Sequence, residues 1–238
     1  MRRIPARRRT LRLVDASLAA PGVRSLTLET VDGEAYDYLA GQWVKLYLPG
    51  GIDRDYSISS APGRCGVGRF EILVTHVEGG PGSRALHAMP IGASLESLGP
   101  SGLFVREDEA ASQPAIFVGT GSGVAPLRAM IEATTASVPS VLLFGCRTEH
   151  DLMFEREWRA RASCDATFRF EPTLSRATST WTGRHGYVQT HLCELLGTMP
   201  DTTHVYVCGL TKMITDVRRV LKEELRVDRK RVHSERYD

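Results

Sequence analysis

The sequence lacks any apolar run that approaches the ~20 residues of a transmembrane helix, which argues against an integral membrane protein. It also has little net charge, because 30 basic residues are balanced by 28 acidic ones and leave +2 at pH 7. That balance excludes a strongly basic nucleic-acid binder. Apolar residues make up 42% of the 238 residues and charged residues 24%, so we expect an ordinary folded chain of one large or two small domains.

Cysteine is scarce, and no two cysteines have the C-x-x-C spacing. The five are Cys65, Cys146, Cys164, Cys193 and Cys208. Their odd number and scattered positions argue against a disulfide framework, a zinc site and a cysteine-ligated iron–sulfur cluster. We therefore predict no metal site and a reducing, cytoplasmic location.

The first twelve residues contain six arginines and no acidic residue. A secretory signal would continue into an apolar core of about 7–15 residues, but Arg12 and Asp15 interrupt the segment that follows. We therefore expect no signal peptide. Two interpretations of the arginines stay open, a frayed tail that leads into a strand and a docking arm for an acidic partner.

The first half of the chain has the pattern of β-structure. Apolar and polar residues alternate over residues 23–28, 43–48 and 70–75, and glycine and proline separate these segments. Short strands at this spacing are typical of an antiparallel barrel or sandwich. We also predict one short helix near residues 83–87.

The second half has a different pattern. Continuous apolar runs at 115–118 and 141–144 are each followed by a helical stretch, at 127–136 and 151–161, and the segments 204–208 and 213–225 repeat the scheme. This alternation predicts βαβ units around a parallel sheet buried on both faces. The polar stretch 107–113 predicts a boundary near residue 110, with a β-rich domain over residues 1–110 and an α/β domain over residues 111–238.

A glycine-rich turn, GTGSGVAP at residues 119–126, joins a predicted strand to a predicted helix. Glycine lets the backbone approach a ligand, and a helix N-terminus presents N–H groups to phosphate. The segment is not a P-loop, and Pro126 stands where a G-x-G-x-x-G motif has its last glycine. By itself the turn indicates either a phosphate site or a structural tight turn.

The segment RDYSISS, residues 54–60, carries a second set of polar side chains. Strand alternation would place Arg54, Tyr56 and Ile58 on one face and Ser57 and Ser59 on the other. Arginine can bind a diphosphate, tyrosine can stack on a heterocycle, and a serine hydroxyl can donate to a ring nitrogen. A solvent-facing strand with a surface arginine is the alternative.

Six motifs in order resemble the plant-type ferredoxin–NADP⁺ reductase superfamily. RDYSISS resembles its R-x-Y-S flavin motif, GGPGS its diphosphate loop, and GPSGLF its G-P-x-G-x-F signature. GTGSGVAP resembles its pyridine-nucleotide loop, the stretch from GCR to DL its G-x-R-x-x-x-D-L segment, and VCG its C-G motif. The resemblance covers the chain from about residue 10 onward and implies a flavin-binding antiparallel β-barrel followed by a nucleotide-binding α/β domain.

The resemblance implies FAD on the barrel. Hydride would pass from a bound nicotinamide to the flavin, and electrons would then leave to an iron–sulfur ferredoxin or a flavodoxin. Thr75 departs from relatives that carry lysine at this position. The residues implied to bind FAD are Arg54, Tyr56, Ser57, Val74, Thr75, Gly82 and Ser83.

The resemblance also implies a nicotinamide cofactor on the second domain, with NADPH favoured over NADH. Arg147, Ser175 and Arg176 would hold its 2′-phosphate, although the arginines could instead be ordinary solvated loop residues. Arg184 is a further cation nearby. The other implied contacts are Thr120 near the flavin–nicotinamide junction, Gly121, Ser122 and Gly123 at the diphosphate, and Tyr187 and Gln189 at the adenine.

The C-terminal segment resembles the family's ending, in which a glutamate lies near the reacting rings and an aromatic ring covers the flavin. Glu235 and Tyr237 match these positions, and Asp238 is a departure. A surface strand end is the alternative. With Ser57 and Cys208, which would lie near flavin N5 and nicotinamide C4, they form the predicted catalytic set.

The sequence thus predicts an FAD-dependent NADPH:ferredoxin or flavodoxin reductase that works as a monomer. Two other functions stay open. The protein could reduce free flavin as a substrate and release it, or it could be a non-catalytic subunit that senses flavin or nicotinamide while docked to a larger enzyme.

Overall fold

The computed structural model describes residues 4–106, 108–134 and 137–237. It divides into two compact units. The first, called the barrel unit, comprises Met1–Arg106 and Arg128–Ala133, and the second, called the α/β unit, comprises Glu107–Leu127 and Thr134–Asp238. Among the described residues, no helix has the length and apolar character that crossing a membrane requires.

An antiparallel sheet forms the barrel unit, as the sequence predicts. Its strand order is β4-β3-β6-β1-β2-β5. The two ends of this order meet, because Ile58 bridges Ile72 just after the last residue of β4. The strands are β1 (Arg7–Ala20), β2 (Val23–Thr30), β3 (Trp43–Leu48), β4 (Ile52–Ser57), β5 (Arg69–Thr75) and β6 (Ser94–Ser101).

Alternating side chains fill the barrel. In β3, Val44, Leu46 and Leu48 point inward while the residues between them are half-buried, as the period of two in a strand requires. Full burial of one such side chain contributes roughly 1.5–3 kcal/mol. Among the completely buried members of this core are Leu11, Leu13, Leu26, Leu28, Val44, Leu46, Ile58, Phe70, Ile72, Val74 and Leu86.

The alternation predicted over residues 54–59 is wrong beyond Ser57. Strand β4 ends there, and Ile58, Ser59 and Ser60 are all fully buried. The chain leaves its partner β3 at this point and crosses to β5, so that the N–H of Ser59 donates to the carbonyl of Glu71. A crossing segment has no free face, so burial cannot alternate along it.

The short helix expected near residues 83–87 is α1 (Pro81–Ala88). Pro81 occupies its first turn, where a missing N–H removes no helical hydrogen bond. Leu86 turns into the barrel core and is completely buried. Helix α1 therefore packs against the barrel with its N-terminus defined by the loop before Pro81.

A parallel sheet with the strand order β10-β9-β8-β7-β11-β12 forms the α/β unit, which confirms the predicted fold class. Its strands are β7 (Ala115–Thr120), β8 (Ser140–Cys146), β9 (Phe168–Leu174), β10 (Arg184–His185), β11 (His204–Leu210) and β12 (Val232–Tyr237). The helices after α1 are α2 (Asp108–Ala111), α3 (Val124–Ala133), α4 (Glu155–Cys164), α5 (Leu192–Gly197) and α6 (Thr211–Arg219).

Helix boundaries differ from the expected ones where local turns intervene. Helix α3 starts at Val124, directly after a 3₁₀ turn over Gly121–Gly123, because Pro126 fits a first turn. Helix α4 starts at Glu155, later than predicted, since Thr148 and Asp151 form a capping box around a separate 3₁₀ turn. The predicted end of α3 at 135–136 and the residue Asp238 lie outside the described residues.

Candidate functional site

In the barrel unit, Arg54 lies against the N-terminus of α1. A Cβ added to Gly82 would lie 3.0 Å from Cγ of Arg54 and 3.5 Å from Cδ1 of Leu48, so only glycine lets the arginine stem pass this close. The N–H groups of a first helical turn have no partner within the helix, and they carry a partial positive charge. Arginine and helix end together fit a diphosphate group.

Ser83 lies next to Gly82, but its hydroxyl is engaged in the preceding loop. Its Oγ accepts from the N–H of Val77 at 3.0 Å and lies 3.2 Å from the carbonyl of Gly80, to which it can donate. This hydroxyl thus shapes the loop that leads into α1. A contact of Ser83 with a diphosphate would therefore use its backbone N–H. This contact stays a prediction.

Tyr56 and Ser57 form the end of β4. They pair with Val44 and Trp43 of β3, Tyr56 is half-buried, and Ser57 is buried. Burial raises the pKa of the Tyr56 phenol, and the neighbouring Arg54 opposes that shift only in part, so the ring is neutral at ordinary pH. A neutral, half-buried ring suits the stacking role predicted for it.

Val74 and Thr75 differ sharply in exposure. The Val74 side chain is fully buried in the barrel core, while Thr75 is exposed. Nε2 of His87 donates to the carbonyl of Val74 at 2.9 Å. The valine side chain therefore faces other core residues, and a ligand contact at this strand would use the backbone or Thr75.

In the α/β unit, the strand order reverses between β7 and β11. Strands β7, β8 and β9 follow one another in one direction, and β11 and β12 lie on the other side of β7. In open α/β sheets, ligands bind at such a switch point, outside the carboxyl ends of the strands. Here those ends carry Thr120 and Leu210, so the glycine turn and the VCG segment lie side by side at the expected place.

Two glycines let these segments touch. A Cβ on Gly123 would lie 2.4 Å from the carbonyl oxygen of Cys208, and one on Gly209 would lie 2.5 Å from Oγ1 of Thr120. At Gly121, with φ +54°, an added Cβ would meet nothing within 4 Å. Gly123 is thus required by packing, whereas Gly121 has open space beside it. The structural interpretation of the turn therefore applies to Gly123, and the ligand-binding interpretation applies to Gly121.

Three of the four predicted catalytic residues come together on neighbouring strands. Cys208 pairs with Glu235 and Leu210 pairs with Tyr237 in the parallel β11–β12 ladder. Burial raises the pKa of the Cys208 thiol, Glu235 raises it further, and a hydrogen bond with Tyr237 opposes them. The thiol is therefore neutral and a poor nucleophile at ordinary pH. The fourth residue, Ser57, belongs to the barrel unit.

The predicted 2′-phosphate residues meet at the carboxyl ends of β8 and β9. The N–H of Arg176 donates to the carbonyl of Arg147 at 2.8 Å, and the N–H of Ser175 donates to the carbonyl of Cys146 at 3.1 Å. Both arginine side chains are exposed. Neither forms an ion pair with any described residue, so each of these two neighbouring strand ends carries an uncompensated cation.

Arg184 has a different environment. Its Nε donates to Glu171 at 2.8 Å, and its two terminal nitrogens donate to Glu194 at 2.7 and 2.6 Å. Such bidentate pairing neutralises the guanidinium and ties β10 to α5. Nearby, the Tyr187 ring is 66% exposed and Gln189 is half-buried, which leaves the tyrosine ring open for stacking.

Two family models match the chain, an oxidoreductase FAD-binding domain over residues 10–105 and an oxidoreductase NAD-binding domain over residues 117–219. A ferredoxin–NADP reductase B from Sorangium cellulosum (strain So ce56) is 45% identical over 238 residues, which cover 95% of this chain and 96% of that protein. The chain belongs to the ferredoxin–NADP reductase family. It is an FAD- and NAD(P)-binding oxidoreductase, which confirms the resemblance.

Other relatives are longer than this reductase. A CDP-6-deoxy-L-threo-D-glycero-4-hexulose-3-dehydrase reductase from Yersinia pestis is 33% identical over 190 residues, which cover 76% of this chain and 54% of that protein. Among solved structures, the Amycolatopsis cytochrome P450 reductase GcoB has a TM-score of 0.88 at 26% identity, with 98% of this chain and 70% of that chain covered. The chain therefore spans 54% and 70% of the length of these two longer proteins.

Sequence reasoning missed one residue of the reductase that shapes the arginine site. Glu149 accepts hydrogen bonds from the backbone N–H of Thr178, at 3.1 Å, and from its hydroxyl. These bonds lower the pKa of the Glu149 carboxyl and fix the loop that follows Arg176. The partners are 29 residues apart, and no local sequence pattern signals such a contact.

Proposed function

We propose that this reductase oxidises NADPH and passes the electrons through FAD to an iron–sulfur ferredoxin or a flavodoxin-type carrier. The proposal is carried by the contrast between the arginines, since Arg147 and Arg176 offer uncompensated charge while Arg184 is paired. NADPH differs from NADH only by a 2′-phosphate, and two adjacent cations favour that group. The name of the 45% identical relative, a ferredoxin–NADP reductase, supports the same cofactor.

We assign FAD to residues 1–110 and the nicotinamide cofactor to residues 111–238. The ranges of the two family models, 10–105 and 117–219, support this division. When bound, FAD supplies the ability to accept two electrons as hydride and to release them one at a time. The protein supplies binding, orientation and exclusion of water.

The residues of the barrel unit have separate tasks in this proposal. Arg54 and the first turn of α1 hold the diphosphate, with Gly82 providing the space for both. Tyr56 stacks on the ring system, and Ser57 donates a hydrogen bond from its hydroxyl. A buried hydroxyl donor that is fixed at a strand end loses little freedom on binding, which favours one orientation of the ligand.

The α/β unit presents the nicotinamide in this proposal. Gly121 and Ser122 lie beside the diphosphate, and Thr120 lies at the switch point. Cys208, whose neutral thiol is fully buried, lies behind the nicotinamide, and Glu235 and Tyr237 border that ring. Tyr187 and Gln189 contact the adenine, and Ser175 joins the two arginines at the 2′-phosphate.

The electron acceptor is proposed to be a separate small protein. The relative from Sorangium cellulosum is named for ferredoxin, and the Yersinia relative is named as the reductase of a dehydrase. We propose that the protein works as a monomer in the cytoplasm. The five free cysteines support the location, since thiols persist in reducing compartments.

An anaerobic titration tests the proposal. Purified protein is dialysed, its visible absorbance is recorded, and NADPH and then NADH are added. We expect flavin absorbance that survives dialysis and is bleached by NADPH at a lower concentration than by NADH. A protein that stays colourless after reconstitution with FAD would contradict the proposal. Flavin lost on dialysis but reduced when free would favour the flavin reductase, and bound flavin that neither nucleotide reduces would favour the sensing subunit.

Ser57→Ala tests the catalytic assignment. We expect the variant to slow flavin reduction by NADPH at least tenfold and to weaken FAD binding less, because the hydroxyl orients the ring and contributes little of the total binding energy. Stopped-flow absorbance and FAD titration measure the two effects. An unchanged reduction rate would remove Ser57 from the catalytic set.

A further inference from the structure

The segment that follows Ser57 is held at every residue. The N–H of Ile58 donates to the carbonyl of Gln42 at 2.9 Å, and the N–H of Ser59 donates to the carbonyl of Glu71 at 2.8 Å. At Ser60, the Tyr38 hydroxyl donates to the carbonyl at 3.0 Å, and the N–H of Glu71 donates to Oγ at 3.0 Å. These bonds together restrain the segment from several sides.

Two charged side chains of α3 also bind the backbone of this segment, and both belong to the barrel unit. Arg128 donates from a terminal nitrogen to the carbonyl of Ser59 at 3.0 Å. Glu132 accepts from the N–H of Ala61 at 2.8 Å. Their side chains are only 7% and 9% exposed, so both charges are buried against the backbone.

The buried charges neutralise one another. Arg128 lies 2.6 Å from a carboxyl oxygen of Glu71 and 3.2 Å from one of Glu132, and Arg64 approaches Glu132 to 3.7 Å. A buried ion pair adds little stability beyond that of a well-packed apolar pair, because both charges lose their hydration. Its directional bonds fix backbone position instead.

We propose that Arg128 and Glu132 are positioning residues for the flavin site. They hold Ser59 and Ala61, and by fixing the chain two residues beyond Ser57 they set where the Ser57 hydroxyl and the Tyr56 ring point. The inference rests on the proposed function, since it requires FAD at Tyr56 and Ser57. Displacement of a reacting group by about 1 Å can slow a reaction by about 100-fold, so a small shift of this segment has a measurable effect.

The experiment compares Arg128→Met, Arg128→Lys and Glu132→Gln with Arg159→Met as the matched control. Arg159 forms an i,i+4 pair with Glu155 on α4, as Arg128 does with Glu132 on α3, but its side chain is 56% exposed. The control therefore removes an arginine–glutamate ion pair of the same spacing, but from the exposed surface of a helix. Each full-length variant is measured for FAD affinity, flavin reduction by NADPH, thermal unfolding, and amide exchange of residues 58–61 in the FAD-free protein.

We expect Arg128→Met to weaken FAD binding about tenfold, to slow flavin reduction about tenfold, and to accelerate amide exchange at residues 59–61. Arg128→Lys keeps the charge and one donor, so it should recover part of each loss. Glu132→Gln keeps an acceptor for the N–H of Ala61 but loses its charge, and it should have an intermediate effect. Arg159→Met should match the wild type in all measurements except a small change in unfolding temperature.

The inference is overturned if Arg128→Met lowers the unfolding temperature while FAD affinity, reduction rate and exchange at residues 59–61 match those of Arg159→Met. Should Arg128→Met not fold, wild-type values for Arg128→Lys and Glu132→Gln would overturn it equally. Failure of the wild-type protein to bind FAD would instead overturn the proposed function. In that case, the exchange data would still show whether Arg128 and Glu132 fix the segment.

Discussion

The two units place glycine at their candidate sites for different physical reasons. In the α/β unit, Gly123 faces the backbone of Cys208, with 2.4 Å between a potential Cβ and the carbonyl oxygen. In the barrel unit, Gly82 faces the side chain of Arg54, with 3.0 Å to its Cγ. A backbone in the middle of a sheet cannot move aside, whereas an exposed side chain can rotate. We therefore expect the first glycine to be needed for folding and the second for ligand binding.

The arginines show the same division. Arg128 in the barrel unit and Arg184 in the α/β unit are both paired with two carboxylates, and both hold protein segments together. Arg147 and Arg176 are exposed and, within the described ranges, have no carboxylate partner. Compensation of charge thus distinguishes arginines that support structure from arginines that can bind an anion.

The largest expected effect is that of Gly123→Ala. The added methyl overlaps the Cys208 carbonyl, so we expect a loss of about 3 kcal/mol or more in the free energy of unfolding. Gly121→Ala is the control, because its left-handed φ alone should cost about 1–2 kcal/mol. Urea unfolding of both variants measures the difference. Equal losses would mean that close packing at Gly123 is not what requires glycine.

The second prediction concerns Arg176→Ala. Loss of a charge-assisted phosphate contact of about 1.5–3 kcal/mol should raise the KM for NADPH about 10- to 100-fold and leave the KM for NADH nearly unchanged. Steady-state kinetics with both nucleotides measure this ratio. Arg184→Ala is the control, and it should lower thermal stability without changing the preference. If Arg176→Ala affects both nucleotides alike, Arg176 does not bind the 2′-phosphate.

A smaller effect is expected for Gly82→Ala. The new methyl pushes the Arg54 stem away, so FAD affinity should fall about tenfold, equivalent to about 1.4 kcal/mol. Stability should change by less than about 1 kcal/mol, because alanine is a better helix former than glycine. Gly197→Ala, at the end of α5 with no atom near its potential Cβ, serves as control. FAD titration measures the affinity, and thermal unfolding measures the stability. A large loss of stability with normal FAD affinity would show that Gly82 is needed for folding and not for binding.

The smallest expected effect is a pH dependence confined to the α/β unit. His233 shares a 3.0 Å hydrogen bond with His204, and burial first, then the neighbouring imidazole, lower the pKa of His233. A lowered pKa favours the neutral form in the folded state. The resulting stability is present above the unfolded pKa of about 6.5 and is lost as pH falls through the folded pKa.

Amide exchange of β11 and β12 on either side of about pH 6.5 measures this loss, and His233→Gln should reduce it. The pH dependence of amide exchange in the strands of the barrel unit should not change when His233 is replaced. A His233-dependent change of equal size in both units would contradict this assignment.

Much of the architecture follows from local pattern. The alternation over residues 43–48 predicts a strand that coincides with β3, and the apolar run at 115–118 lies within β7. The βαβ pattern also places the glycine turn at the carboxyl end of a strand. Burial of one face or of both faces is written into the spacing of apolar residues, so these features need no tertiary information.

Other features were decided only by tertiary structure. The sequence by itself determined that a β-rich region is followed by an α/β region. It also determined the order of their motifs and the family to which the chain belongs. It did not determine that β4 ends at Ser57, that Gly123 serves packing, or that Arg184 is neutralised while Arg176 is not. Those outcomes depend on partners in other elements of the structure, such as Glu71 for Ser59, Cys208 for Gly123 and Glu194 for Arg184. Local periodicity encodes which face is buried, and only the folded chain specifies which groups meet there.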